Sequence, residues 1–126
     1  MCLYFSSLIG NRLTGSIPKE LANLSSLTSL HFSSNNFTGE IPETYARLTT
    51  LKEFKISDNN FRGQIPEFIF QNWRNITKII ISDLNGAEAA FPQLNAKLPE
   101  LDRVDLSFNR LSGEVPDHFA LPLDTF

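Results

Sequence analysis

The strongest constraint on the fold of this chain is an eight-residue pattern that occurs four times. Each copy begins with Asn, has Leu or Phe at its third position and Gly at its fifth, and ends in Ile-Pro or Val-Pro. The copies occupy residues 11–18, 35–42, 59–66 and 109–116. The first three begin 24 residues apart and the last gap is 50, so a degenerate copy is expected inside that gap. Such a period indicates a series of similar structural units stacked on one another.

Apolar residues ahead of each copy follow the same period and form columns. The columns are Leu27, Leu51, Ile76 and Leu101; Leu30, Phe54, Ile79 and Val104; and Phe32, Ile56, Ile81 and Leu106. The last two columns are two residues apart, so on extended strands they point to the same side. A leucine-rich unit of this length is typical of a leucine-rich-repeat solenoid.

We therefore predict an α/β-type solenoid, a leucine-rich-repeat fold with about five repeats. A short parallel β-sheet is expected on the concave face and irregular or 3₁₀ structure on the convex side. The repeats are expected at residues 3–23, 24–47, 48–72, 73–97 and 98–121, within a single, incomplete and uncapped domain over residues 1–126.

The polar positions of the pattern have local reasons. A side-chain amide both donates and accepts, so stacked Asn residues are expected to bond backbone groups of consecutive coils. The recurring Gly predicts a positive φ angle or close packing. The fourth repeat departs from the pattern, because Leu84 replaces the Asn and Glu88 stands in the glycine column. Two extra residues are placed around it, one before Trp73, which fills a Leu column, and one before Phe91.

Composition excludes several classes of function. Eleven Lys and Arg against fourteen Asp and Glu give a net charge of −3, which argues against a nucleic-acid partner. The single cysteine, Cys2, excludes a disulfide scaffold and a multi-cysteine zinc site. No apolar run is long enough for a membrane span.

Catalysis and cofactors are not expected. His31 and His118 are read as solvated surface histidines without a nucleophile or carboxylate arranged around them. Asp58 and Asp83 are expected on adjacent strands, yet too few oxygens accompany them for calcium. We predict no catalytic residue, no metal and no cofactor.

The outward strand positions are the candidate partner surface, since a rigid, extended sheet binds a peptide or protein at low ordering cost. The candidates are Ser29, His31, Glu53, Lys55, Asp58, Lys78, Ile80, Asp83, Arg103, Asp105 and Phe108. An exposed sheet face must also be polar for solubility, and Glu53 beside Lys78 is a cross-strand pair that needs no ligand. Both interpretations stay open at this point.

Three sequons, at Asn23, Asn36 and Asn75, fall on expected surface positions. They are candidate glycosylation sites, and they modestly favour a parent protein that enters the secretory pathway.

Units that end in Gly-x-Ile-Pro resemble the plant-specific class of leucine-rich repeats over residues 3–119. More narrowly, residues 10–21, 37–44, 56–61 and 81–86 resemble ectodomains of plant receptor-like serine/threonine kinases that carry a malectin-like domain after their repeats. The resemblance implies a receptor at the extracellular face of the plasma membrane, with a protein or peptide ligand and a co-receptor as partners.

The chain departs from that plan, since it shows no clear signal peptide, no kinase motif and no paired-cysteine cap. It is expected to be a ligand-recognition fragment of such a receptor. The alternatives are a secreted leucine-rich-repeat inhibitor, a kinase-less receptor-like protein and a non-functional truncated product.

Overall fold

The computed structural model describes residues 5–7, 9–93 and 98–115, so Cys2 and His118 lie outside the described residues. The strands are β1 (Phe5–Ser7), β2 (Thr14–Ser16), β3 (Ser29–His31), β4 (Asn36–Gly39), β5 (Glu53–Ile56), β6 (Asn60–Phe61), β7 (Lys78–Ile81), β8 (Ala89–Ala90), β9 (Arg103–Asp105) and β10 (Leu111–Ser112). The 3₁₀ helices are Lys19–Asn23 and Glu43–Arg47, and the α-helix, α1, is Phe68–Gln71.

Strands β1, β3, β5, β7 and β9 form one parallel sheet in that order, which we call the front sheet. Each strand pairs with the equivalent strand of the next coil. Ser29 lies opposite Glu53, and Lys78 lies between Glu53 and Arg103. This register is the one that the sequence columns predict, so the predicted parallel sheet of a leucine-rich-repeat fold is confirmed.

The inward side chains of the front sheet form the core of the protein. The most central column is at most 1% exposed and consists of Leu30, Phe54, Ile79 and Val104. In the next column Phe32, Ile56 and Ile81 are fully buried, and Leu106 is partly buried against them. Full burial of one such side chain stabilises the fold by about 1.5–3 kcal/mol. The sequence columns therefore identify the core correctly.

The Asn residues form the predicted ladder between coils. The Asn59 side-chain amide donates to the carbonyl of Phe32, one coil back, and to that of Ser57, both at 2.9 Å. Its Oδ1 accepts a hydrogen bond from the backbone N–H of Phe37 at 3.1 Å. Asn109 also bridges two coils, because its amide donates to the carbonyls of Ile81, one coil back, and Leu106, and its Oδ1 accepts from the backbone N–H of Leu84. These bonds satisfy backbone groups where the strands end, as the amide chemistry predicts.

The ladder is interrupted at Leu84, which is buried. An amide at position 84 would point toward the carbonyl of Ile56, by analogy with Asn109 and Ile81. That carbonyl instead accepts a hydrogen bond from the backbone N–H of Ser82 at 3.1 Å. The fourth coil thus replaces a polar ladder position with an apolar core contact.

The back of the protein carries the helices. In the second coil, the backbone N–H of Tyr45 donates to Pro42 at 3.0 Å, a 3₁₀ spacing. In the third coil, the N–H of Asn72 donates to Phe68 at 2.7 Å, an α-helical spacing. An α-helical turn contains more residues than a 3₁₀ turn, so α1 accommodates the extra residue predicted ahead of Trp73. Within the described ranges, none of the helices has the length and apolar character that a bilayer span requires.

A second set of strands, which we call the flank strands, was not predicted. Strands β2, β4 and β6 form a three-stranded parallel sheet, whereas β8 pairs only with β10 among the described residues. The flank strands are therefore interrupted between β6 and β8, while the front sheet continues through the same coils. The interruption falls in the degenerate fourth repeat.

Two glycine positions explain the backbone around this interruption. Gly63 has a φ angle of +84°, as the pattern predicts, and the equivalent glycines of the other regular repeats are similar. Glu88, which stands in the same column, does not have a positive φ angle. Gly86 lies instead against the third coil, where a Cβ atom would collide with the carbonyl oxygen of Gly63. The fourth coil takes a different path that requires Gly86 for close approach.

Candidate recognition surface

The outward side chains of the front sheet form two columns, which we call the front surface. The first column consists of Ser29, Glu53, Lys78 and Arg103. The second consists of His31, Lys55, Ile80 and Asp105. Adjacent parallel strands lie about 4.8 Å apart, so neighbours within a column are in side-chain contact range. The predicted columns are therefore adjacent in space.

His31 differs from its expected environment. It was expected to be solvated, but it is only 7% exposed, and its Nε2 lies 3.2 Å from Oε2 of Glu53. Burial, followed by the nearby positive charge of Lys55, lowers the pKa of His31, and the contact with Glu53 opposes this only in part. The imidazole is therefore neutral at neutral pH. Sequence spacing did not show this because burial depends on side chains from neighbouring coils.

Glu53 is the central charged group of the front surface. Its Oε1 lies 3.7 Å from Nζ of Lys78, and its Oε2 lies 4.0 Å from Nζ of Lys55. These half-exposed pairs stabilise the fold by about 0–1 kcal/mol each. Glu53 therefore orients two ammonium groups and a buried imidazole, although sequence analysis paired it only with Lys78.

The last described strand of the front sheet ends in a local acidic turn. Asp105 accepts hydrogen bonds from the Ser107 hydroxyl at 2.6 Å and from the Ser107 backbone N–H at 3.0 Å. These bonds lower the pKa of Asp105, and the positive charge of Arg103 adds to the effect. Arg103 itself is exposed, and it forms no ion pair with a described residue.

The third group of candidates occupies the turn after each strand and not the strand itself. Ser34, Asp58, Asp83 and Phe108 have φ angles of 50–61°, in the left-handed region. Their expected place on extended strands is therefore wrong. Asp58 and Asp83 each accept a hydrogen bond from a serine hydroxyl, and Phe108 is 82% exposed. The described residues contain no cluster of three or more His, Cys, Asp or Glu that could hold a metal.

The three sequon asparagines are exposed. Asn23 ends the first 3₁₀ helix, and Asn36 begins β4. The Asn75 side chain donates a hydrogen bond to the carbonyl of Thr49 at 3.1 Å. All three therefore lie on accessible surface, and their modification stays a prediction.

The coil geometry and the open, charged front sheet define a solenoid protein of the leucine-rich-repeat class. The Leucine Rich Repeat family model matches residues 26–48, 50–72 and 100–121, which is more than half of the chain. The chain therefore belongs to the leucine-rich-repeat family. No protein among the curated sequences matches it.

Solved structures of plant receptor kinases are similar to the chain. The ectodomain of GASSHO1/SCHENGEN3 from Arabidopsis thaliana, in complex with CASPARIAN STRIP INTEGRITY FACTOR 2, is 32% identical with a TM-score of 0.77, over 97% of this chain and 14% of that one. The BIR2 ectodomain from Arabidopsis thaliana is 31% identical with a TM-score of 0.82, over 92% of this chain and 60% of that one.

A third similar structure is the Arabidopsis receptor kinase HAESA in complex with the peptide hormone IDA and the co-receptor SERK1. It is 31% identical with a TM-score of 0.75, over 92% of this chain and 19% of that one. The chain thus spans less than two thirds of the length of each of these proteins, and it resembles part of their leucine-rich-repeat ectodomains.

Proposed function

We propose that this chain is an extracellular recognition segment of a plant leucine-rich-repeat receptor kinase and binds a protein or peptide ligand through the front surface, without catalysis of its own. The observation that carries the proposal is the unbroken five-stranded front sheet, which presents charged side chains in fixed register. Such a preformed surface loses little conformational entropy on binding. The likeness to ectodomains solved with a peptide hormone supports the proposal.

The charges of the front surface suggest the ligand's character. Lys55, Lys78 and Arg103 lie on three adjacent strands and form a positive strip. Glu53 partly neutralises the two lysines, whereas Arg103 has no ion pair with a described residue. Arg103 is therefore available to an acidic segment of the ligand, next to Lys78, although the Asp105 carboxylate lies two residues away on the same strand.

The setting of the protein follows from the same proposal. The parent receptor is placed at the extracellular face of the plasma membrane, with a malectin-like domain after the repeats and a co-receptor as second partner. Asn23, Asn36 and Asn75 are proposed glycosylation sites in that compartment. The front sheet carries no sequon, so glycans would leave it open to a ligand.

The test is binding of the full chain to an array of extended synthetic peptides of systematically varied charge. The wild-type chain is expected to prefer acidic peptides over uncharged ones. The triple variant Lys55→Glu, Lys78→Glu, Arg103→Glu is expected to shift that preference to basic peptides. A matched control reverses three exposed arginines outside the front sheet, Arg12, Arg47 and Arg62.

The control variant changes net charge equally, so it should retain the wild-type preference. The proposal is overturned if no peptide binds, or if the front and control variants change the preference to the same extent.

A further inference from the structure

Two hollows lie side by side on the two sides of the third coil, and we call them together the flank groove. The larger, about 560 Å³, lies between the second and third coils. The smaller, about 240 Å³, lies between the third and fourth coils. Both are lined by Gln64, Ile65 and Glu67, so they are continuous across the third coil.

The smaller hollow is open because the fourth coil carries small side chains at this point. Gly86 stands where Phe37 and Phe61 occupy the core in earlier coils. Ala89 and Ala90, which form β8, line the smaller hollow and fill little of it. The degenerate repeat thus extends the larger hollow, which lies between two regular coils, across the third coil into the smaller one.

The floor of the groove is apolar. Ile41 and Ile65 line it, and each leaves only a small part of its surface exposed, 6% and 7%. Half-buried Phe68 and Phe91 extend the apolar surface at the two ends. An extended chain laid along this floor would bury every second side chain against it.

The rim of the groove is acidic. Glu40, Glu43 and Glu67 are exposed, and none forms an ion pair with a described residue. No Lys or Arg is among the residues that line either hollow. The Glu40 side chain lies along the surface against Gly63, so its carboxylate stays at the edge of the groove.

We propose that the flank groove docks an extended segment of a partner protein in which basic and apolar residues alternate. Apolar side chains would occupy the floor over Ile41 and Ile65. Lys or Arg side chains would lay their aliphatic stems on the same surface and place their charges among the three rim carboxylates. The charge complementarity selects this occupant over an acidic one. The proposal concerns a different surface from the front sheet, and either can fail without the other.

The test uses the full chain and a blocked synthetic peptide of about eight alternating lysine and valine residues, long enough to cross three coils. Titration calorimetry is expected to show binding that weakens with added salt. The double variant Glu43→Lys, Glu67→Lys is expected to weaken binding at least about tenfold, since two attractive charges on the rim become repulsive ones.

Two controls separate the groove from general attraction to an acidic protein. The variant Glu100→Lys, Glu114→Lys changes net charge equally at exposed positions outside the groove and should change the affinity less than about twofold. Gln64→Trp fills the groove without changing charge and should weaken binding as the rim variant does.

Three results would overturn the proposal: no binding of the basic peptide, binding of a glutamate–valine peptide that Gln64→Trp weakens to the same extent, or equal loss in the two double variants. Self-association of the chain that disappears in Glu43→Lys, Glu67→Lys would assign the groove to a second copy and would overturn it as well.

Discussion

The imidazole of His31 on one strand of the front sheet lies 3.2 Å from the carboxylate of Glu53 on the next, with the imidazole almost fully buried. Because burial and Lys55 lower the pKa of His31, the unfolded chain binds a proton at this residue more readily than the folded chain does. The full contribution to stability is therefore present above the ordinary value of 6.5, and it is lost as pH falls below it.

We predict that the urea concentration at the unfolding midpoint of the wild-type chain decreases as the pH is lowered from about 7.5 to 5.5. The substitution His31→Gln should make this decrease smaller. The difference between the two proteins isolates the contribution of His31. Asp105 affects stability in a different pH range. Because its pKa is lowered in the folded chain, the stability that it contributes is lost only near pH 4 and below. Equal pH dependence in the two proteins would contradict the assigned role of burial.

Trp73, which follows α1, is held to the 3₁₀ helix Glu43–Arg47 of the second coil by a buried hydrogen bond. Its Nε1 donates to the carbonyl of Tyr45 at 2.8 Å, and its ring packs 4.9 Å from that of Phe54, centroid to centroid. Trp73→Ala should lower the free energy of unfolding by about 3–5 kcal/mol. Trp73→Phe should lower it by about 1–3 kcal/mol, because the carbonyl loses its partner. Urea denaturation measures the free energy of unfolding of both variants. The control is Lys52→Ala, at an exposed position, which should change this free energy by less than about 0.5 kcal/mol.

The Asn ladder gives a third prediction. Asn59→Leu installs the residue type that the fourth coil has at position 84, but here three backbone partners lose their bonds. The free energy of unfolding should fall by about 2–4 kcal/mol. Asn60→Ala, at the exposed neighbouring position, is the control and should stay within about 0.5 kcal/mol of wild type. Equal effects of the two substitutions would mean that the ladder is not a source of stability.

Two glycines distinguish backbone strain from steric collision. Gly15 has a φ angle of +84°, but a Cβ there would meet nothing within 4 Å. Gly15→Ala should therefore cost about 1 kcal/mol of conformational strain. Gly86 lacks that φ angle, yet Gly86→Ala should cost more than about 2 kcal/mol, because the carbonyl of Gly63 must move. Thermal or urea unfolding that ranks the two in the opposite order would show that the fourth coil follows another path.

Sequence periodicity was sufficient to predict the front sheet and the residues of the core. The inward position of Leu30 repeats at Phe54 and Ile79 because each coil buries its side chain against the last, so spacing alone sets the register. It was not sufficient for His31, whose burial depends on the side chains of adjacent coils. The column of Asp58 was misplaced because polar residues at a strand end fit both an extended strand and a left-handed turn.

The flank strands were missed for a related reason. Thr14–Ser16 is exposed throughout, and Asn36–Gly39 has a single buried apolar residue, Phe37, so neither segment is long enough to show the alternation that marks a strand. Their pairing is imposed by stacking of the coils and not by local preference. Helix α1 was likewise hidden, although the extra residue that it absorbs was visible in the sequence.

The front sheet is hydrogen-bonded through all five of its strands, whereas the flank strands are interrupted between β6 and β8. The protein is therefore stiffer toward bending in one direction than in the other. Bending that spreads the front strands must stretch every ladder bond, whereas bending that spreads β6 from β8 breaks no strand pairing. The rod is therefore expected to flex in one preferred direction at the Gly63–Gly86 contact. Amide hydrogens of the front strands should accordingly exchange with solvent more slowly than those beside the gap.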